Sequence, residues 1–329
     1  MKMRDQSLDI LRGMGIFFMV FDHIGWGTVV HTYIQSFHMP LFFIVSGYLW
    51  KNEKLSGLVQ KRFKTLLIPY VFFAAIYLAI QTILALGREN SFLDSLRAVV
   101  LYPSDMSNMP IAPALWFLPC MFLTSIVYSL LSRLSFKLKT LIIVGISSLG
   151  MLYSSLVDTM LPFTIEPMTV ALGFMLVGEL IKKKQELVMR WLDKLWLVLI
   201  VLIVEAILAM INKSVDLRSA RYHNCILYFL NGTFGTIAYW GIAKKIMTRK
   251  TLLGGVRWLS CLSQSAMGYI CMNQFFIAVF GMILGIFMPA GIVFLLARKA
   301  AIFIAVMVTI YWTTRVIMGS RFKMILGGK

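Results

Sequence analysis

The chain has 329 residues, 59% of them hydrophobic and 14% charged, with a mean hydropathy of +0.82. That balance leaves no room for a sizeable soluble domain and predicts an all-α polytopic membrane protein, a single integral-membrane domain over 1–329. A formal net charge of +18 would suit a nucleic-acid binder, but Lys and Arg sit in short loops between apolar stretches, so topology explains them and no nucleic-acid partner is expected.

In chain order, ten apolar spans are predicted near 8–30, 37–50, 64–86, 112–131, 139–157, 165–181, 192–212, 225–246, 262–287 and 297–318. Alternate loops sort by charge. Of the 32 Lys and Arg, Arg12 and Arg315 fall inside spans, and 7 fall on one side: Arg88, Arg97, Lys213, Arg218, Arg221, Arg298 and Lys299. The remaining 23 gather with both termini on the other side, which the positive-inside rule makes cytoplasmic. The first span is long and interrupted by polar groups, so it is not expected to be a cleaved signal. Cys120, Cys225, Cys261 and Cys271 lack metal-ligand spacing, and no metal is expected.

The first span, SLDILRGMGIFFMVFDHIGW, carries Asp9, Arg12, Asp22 and His23. Arg12 and His23 are eleven residues apart, close to three whole turns, so they share a face about 16 Å apart along the axis. Asp9 precedes Arg12 by three residues, a pairing distance. Ionisable groups at such depth point to a bundle interior, a pathway or a site. The alternative is an Arg snorkelling to the inner interface beside a hydrogen-bonded core His. Asp22 points about 100° away from His23, so it is not expected to orient that ring; His38 is the better partner.

In the second span, FHMPLFFIVSGYLW, Pro40 suits a first helical turn, His38 an outer mouth, and Ser46-Gly47 a small-residue packing contact or a substrate position. Lys61, Arg62 and Lys64 precede the third span. They fit a topology signal, a contact with anionic headgroups, or a phosphate-rich ligand. The long outer connection 87–111 is a candidate substrate lip. Trp116 in ALWFLP is placed at the outer interface, as an anchor or a stacking platform for a sugar, with Glu166 at the outer end of the sixth span. Glu205 falls inside the seventh span as a neutral or paired group. In the ninth, Tyr269 and Asn273 share a face at i,i+4, and interhelical hydrogen bonding is their simplest role.

Four stretches carry a family resemblance: LDILRGMGIFFMVFDH, FHMPLFFIVSGYL, KRFKTLLIPY and, more weakly, ALWFLP. With them the chain resembles the bacterial membrane acyltransferase-3 family, and by eye its fucose 4-O-acetylase-like members. The resemblance implies a multi-pass enzyme of the bacterial plasma membrane. Such an enzyme moves an acyl group, commonly acetyl, from cytoplasmic acyl-CoA to a hydroxyl of an envelope glycan or lipid-linked saccharide. It makes His23 the essential histidine and Arg12 its paired arginine, and gives Lys61, Arg62 and Lys64 a part in handling the CoA donor. Asp9, Ser46, Trp116, Glu166, Tyr269 and Asn273 become candidate acceptor-side residues. One departure is Asn273 before Gln274, where many members have a His. Asn cannot serve as a base.

The chemistry agrees, because a sugar hydroxyl attacks a thioester only as a base removes its proton, and His titrates near neutrality. A transporter or exporter of a small solute or glycan using the same polar seam is the competing reading. Membrane lipids are partners in either case, and a homodimer is compatible with both.

Overall fold

The computed structural model describes residues 5–84, 92–108, 110–248, 252–287 and 291–328. Its helices are α1 (Gln6–His23), α2 (Thr28–Tyr48), α3 (Leu55–Arg62), α4 (Ile68–Leu84), α5 (Phe92–Leu101), α6 (Phe117–Leu131), α7 (Phe136–Leu156), α8 (Ile165–Lys183), α9 (Gln185–Leu192), α10 (Leu195–Asn212), α11 (Cys225–Thr248), α12 (Leu253–Gln264), α13 (Ala266–Phe287) and α14 (Ile292–Gly319). Among the described residues the only bridge between extended segments is Asp216 to Arg221, so the fold is all-α. Among the described residues, seven helical stretches are long and apolar enough to cross a membrane: Leu55–Leu84, Pro113–Leu131, Phe136–Leu156, Pro162–Lys183, Leu195–Asn212, Ala266–Phe287 and Val293–Gly319. This is a polytopic membrane protein. Helices α1, α2 and α11 are as long but more polar: α1 alone carries Asp9, Arg12 and Asp22.

By contacts the chain forms two units that alternate along the sequence. The first takes the described residues of 1–52, 134–156 and 169–266; the second takes those of 53–133, 157–168 and 267–329.

In the first unit α1 packs against α2, α11 and α12, and α2 also against α10. Asp5 caps α1 by accepting from the Ser7 N–H at 3.0 Å, satisfying one of the donors a helix start leaves open. The hydroxyl of Ser7 in turn accepts from the buried Trp240 indole at 2.9 Å, tying α11 to the first turn of α1. The turn into α2 runs through Gly25 and Gly27 at φ 78° and 117°, a region other residues enter only with strain. α2 therefore starts at Thr28, nine residues earlier than hydropathy predicts, because His31, Gln35 and Ser36 dilute its apolar signal. Pro40 consequently lies well inside the helix, rather than in its first turn. Between α1, α2 and α11 the Phe37 and Tyr239 rings stack and Phe18 meets both edge-on, with centroids 4.7–5.4 Å apart.

Burial runs inside-out, as expected where the solvent is lipid. α10 exposes Leu199, Ile203, Ile207 and Ile211 and buries Glu205 completely. Apolar contact supplies little drive between helices in lipid, so packing and hydrogen bonds hold the bundle.

The second unit is fastened by tyrosine hydroxyls that donate to carbonyls of neighbouring helices: Tyr70 to Val99 at 2.8 Å, Tyr77 to Cys271 at 2.8 Å and Tyr269 to Met307 at 2.7 Å. Between α3 and α4 the backbone widens into a π-helical turn, Phe63–Leu67. Proline at 69 supplies no N–H for the Thr65 carbonyl and crowds it, and a wider turn relieves that conflict.

Candidate functional site

The polar cluster of the first unit is built from the end of α1 and the first half of α2. Positions 31, 35 and 38 follow i, i+4, i+7, so His31, Gln35 and His38 share one face of α2. That face meets Asp22. The Asp22 side chain is 1% exposed, and its carboxylate accepts from His31 Nδ1 at 2.9 Å and from Gln35 Nε2 at 2.7 Å. A carboxylate without partners at this depth would cost several kcal/mol. Because an ionised carboxylate only accepts, His31 carries its proton on Nδ1 and directs Nε2 elsewhere; this side chain is 46% exposed. His38, 2% exposed, must likewise donate from Nδ1 to the Ile34 carbonyl at 2.9 Å, leaving Nε2 as the basic nitrogen. His23, half-buried at the last position of α1, and His38 both lie within electrostatic reach of Asp22. One buried anion thus serves three imidazoles.

Arg12 lies at the other end of α1, on the face of His23, 3.7 Å from Asp9 as the sequence predicts. Beside the histidines, the segment between α10 and α11 folds into an ordered cap. Asp216 pairs with Arg218 at 2.8 Å, accepts from Ser219 Oγ at 2.8 Å and reaches His31 electrostatically. Burial pushes the Asp216 carboxyl up, but the Arg218 charge and the hydrogen bonds from Arg218 and Ser219 outweigh it and leave it below the ordinary value. Glu205 on α10 accepts from Ser36 Oγ at 2.7 Å, close to the Tyr33–Tyr239 hydroxyl pair at 2.9 Å.

Other expected residues take quieter places. His38 is a buried mid-helix group, not one at an outer mouth, because α2 begins earlier than expected. Ser46 Oγ donates to its own helix at Phe42 O, 2.7 Å, and a Cβ on Gly47 would fall 1.9 Å from the Met175 carbonyl oxygen, so this pair seats α2 against α8. In the second unit Trp116 is 5% exposed with its ring edge-on to Phe117, so it is core there and not an interface anchor. Tyr269 and Asn273 are both fully buried; the first bonds α14, and the second donates to Tyr269 O at 2.6 Å within α13. Glu166 is buried in the first turn of α8. Lys61 and Lys64 are exposed and Arg62 half-buried at the end of α3 and in the π turn, with Lys61 pairing to Glu53 at 3.0 Å. Part of the candidate lip, 87–91 and Met109, lies outside the described residues.

Sequence reasoning missed His31 and Gln35 and gave Asp22 no partner, whereas its carboxylate anchors the cluster. The available signal was the i, i+4, i+7 run from His31 to His38, hidden once residues 31–36 were read as loop. Among the described residues no set of three His, Cys, Asp or Glu is arranged to hold a metal.

Long apolar helices around a seam of Asp, His and Arg define an integral membrane protein with polar chemistry inside its bundle. The chain belongs to the membrane acyltransferase-3 family: the family's model, described as an acyltransferase domain, matches residues 5–315, across both units. Its activity is acyl-CoA-dependent O-acyl transfer. No curated protein and no solved structure matches the chain.

Proposed function

We propose that this enzyme moves an acetyl group from cytoplasmic acetyl-CoA to a hydroxyl of an envelope glycan or lipid-linked saccharide in the bacterial plasma membrane. The observation that carries this reading is the convergence of His23, His31 and His38 on the buried Asp22. His23 takes the hydroxyl proton as the oxygen attacks the thioester carbonyl. The tetrahedral adduct collapses with cleavage of the C–S bond, and the proton leaves on the CoA thiol. Asp22 stabilises the imidazolium formed on the way, as a fixed charge already in place before reaction. His38 orients the acceptor. Arg12 and the Lys61, Arg62, Lys64 cluster hold the donor's phosphates on the cytoplasmic side, in a ten-span arrangement with both termini cytoplasmic. Asp9, Ser46, Trp116, Glu166, Tyr269 and Asn273 act on this reading through the structure around the acceptor.

His23→Ala tests it. Loss of one general base lowers acyl transfer about 10²–10⁴-fold, roughly 3–5 kcal/mol, with donor binding preserved. Near-normal transfer to glycan by the variant in a membrane assay would remove His23 from the mechanism. A wild-type protein that moves a solute across vesicles without acylating anything would put a transporter in its place.

A further inference from the structure

After α14 the chain continues as Ser320–Gly328 and folds back on itself. Ser320 accepts from Phe322 N–H through its hydroxyl, Lys323–Leu326 form a short 3-10 turn, and the Gly328 N–H returns to Lys323 O at 2.9 Å. This turn packs against α14, α4 and the π-helical turn Phe63–Leu67, with Leu326 buried as its anchor. Gly327 seats it. At φ 71° it holds a left-handed conformation, and a Cβ there would fall 2.9 Å from the Thr65 carbonyl oxygen. Thr65 is the residue whose carbonyl lost its usual donor to Pro69, and it directly follows Lys64. The segment lies beyond the residues matched by the family's model, 5–315.

Charge accumulates where the two segments meet. Arg321 and Lys323 are exposed on the tail, Lys64 is exposed on the π-helical turn it packs against, and Lys61 is exposed at the end of α3, three residues before Lys64 in the chain. Only Lys61 has a carboxylate partner, Glu53; among the described residues Lys64, Arg321 and Lys323 form no ion pair. The tail itself carries no acidic residue. Neighbouring cations without counter-charges repel unless a polyanion neutralises them, and a CoA thioester brings a diphosphate and a 3′-phosphate.

We propose that the C-terminal segment completes the donor site, with Arg321 and Lys323 joining Lys61 and Lys64 on the phosphates of acyl-CoA and Gly327 fixing them there. The inference rests on the acyl-CoA reading above and adds the tail to it. The test is CoA binding to the full-length protein in neutral detergent, with pantetheine, which lacks the phosphates, as the paired ligand. R321Q/K323Q removes two exposed charges and the Arg321 contact with the Phe322 ring, and leaves Leu326 and Gly327 in place. Its CoA dissociation constant should rise about five- to thirty-fold, with a weaker salt dependence and unchanged pantetheine binding. Gly327→Val, which keeps both charges but cannot seat the tail on Thr65, should show the same direction of change. If R321Q/K323Q binds CoA like wild type while K61Q/K64Q does not, the donor site stands and the tail has no part in it. A variant that retains less phosphatidylglycerol from mixed lipid–detergent micelles while its CoA affinity is intact makes the tail a headgroup contact and overturns the proposal. A wild-type protein that binds no CoA removes the donor reading and this inference together.

Discussion

Replacing Asp22 by Asn separates charge from shape at the centre of the cluster. The amide oxygen still accepts from His31 or Gln35, but the imidazolium formed during proton transfer loses its counter-charge. Acyl transfer should fall in kcat by about 10–100-fold with CoA affinity unchanged, measured as initial rates beside a binding titration. Equal losses in both would mean that Asp22 only supports the fold. At this scale the sequence was a good guide to α1 and a poor one to α2. Arg12, Asp9 and His23 fall where helical spacing puts them, because an uninterrupted helix obeys a fixed rotation per residue. Spacing offers Asp22 no partner for the same reason: its partners come from another helix, and spacing within one element says nothing about those.

Elements were legible wherever apolar residues dominate, and boundaries failed where polar side chains are turned inward. The start of α2 is the clearest case, since the residues that build the site are those that make a hydropathy profile read as loop. The cap between α10 and α11 was invisible for a different reason: its order comes from Asp216 holding Arg218 and Ser219, not from apolar periodicity. This ion pair gives the cap a pH dependence. The Asp216 carboxyl sits below its ordinary value of 3.8 in the folded chain, so its stabilisation is complete above that value and is lost as pH falls through the lower folded one. Amide exchange across Asp216–Arg221, corrected for intrinsic rates, should accelerate only in that acid range. Asp216→Asn should bring the same loosening at neutral pH, read as new trypsin cleavage at Arg218; a cap that stays protected in the variant would show that the bridge alone holds it.

For the whole molecule, the split of 23 basic residues against 7 carries the prediction that both termini are cytoplasmic. Reporters inserted at the α8–α9 junction near Lys184 and at Ser107 should read opposite sides of the membrane. Identical readings would mean that one of the three helices between them, α6, α7 or α8, does not cross. All-α architecture was legible from composition, and the division into two interleaved units was not, since it depends on which distant helices choose each other.

The Gly25–Gly27 turn has a consequence for how the site comes into being. Asp22, His23, His31, Gln35 and His38 fall within seventeen consecutive residues of one hairpin. Closing so short a loop costs little chain entropy, and contacts this local form fast. During synthesis the charged partners can find each other as soon as the first two helices have emerged, long before α10 and α11 exist to cover them. A buried carboxylate that would otherwise obstruct insertion enters the bilayer already neutralised by its own neighbour. The later helices then close over a hydrogen-bonded cluster that has already formed, and substitutions among them can alter its surroundings without having to rebuild it.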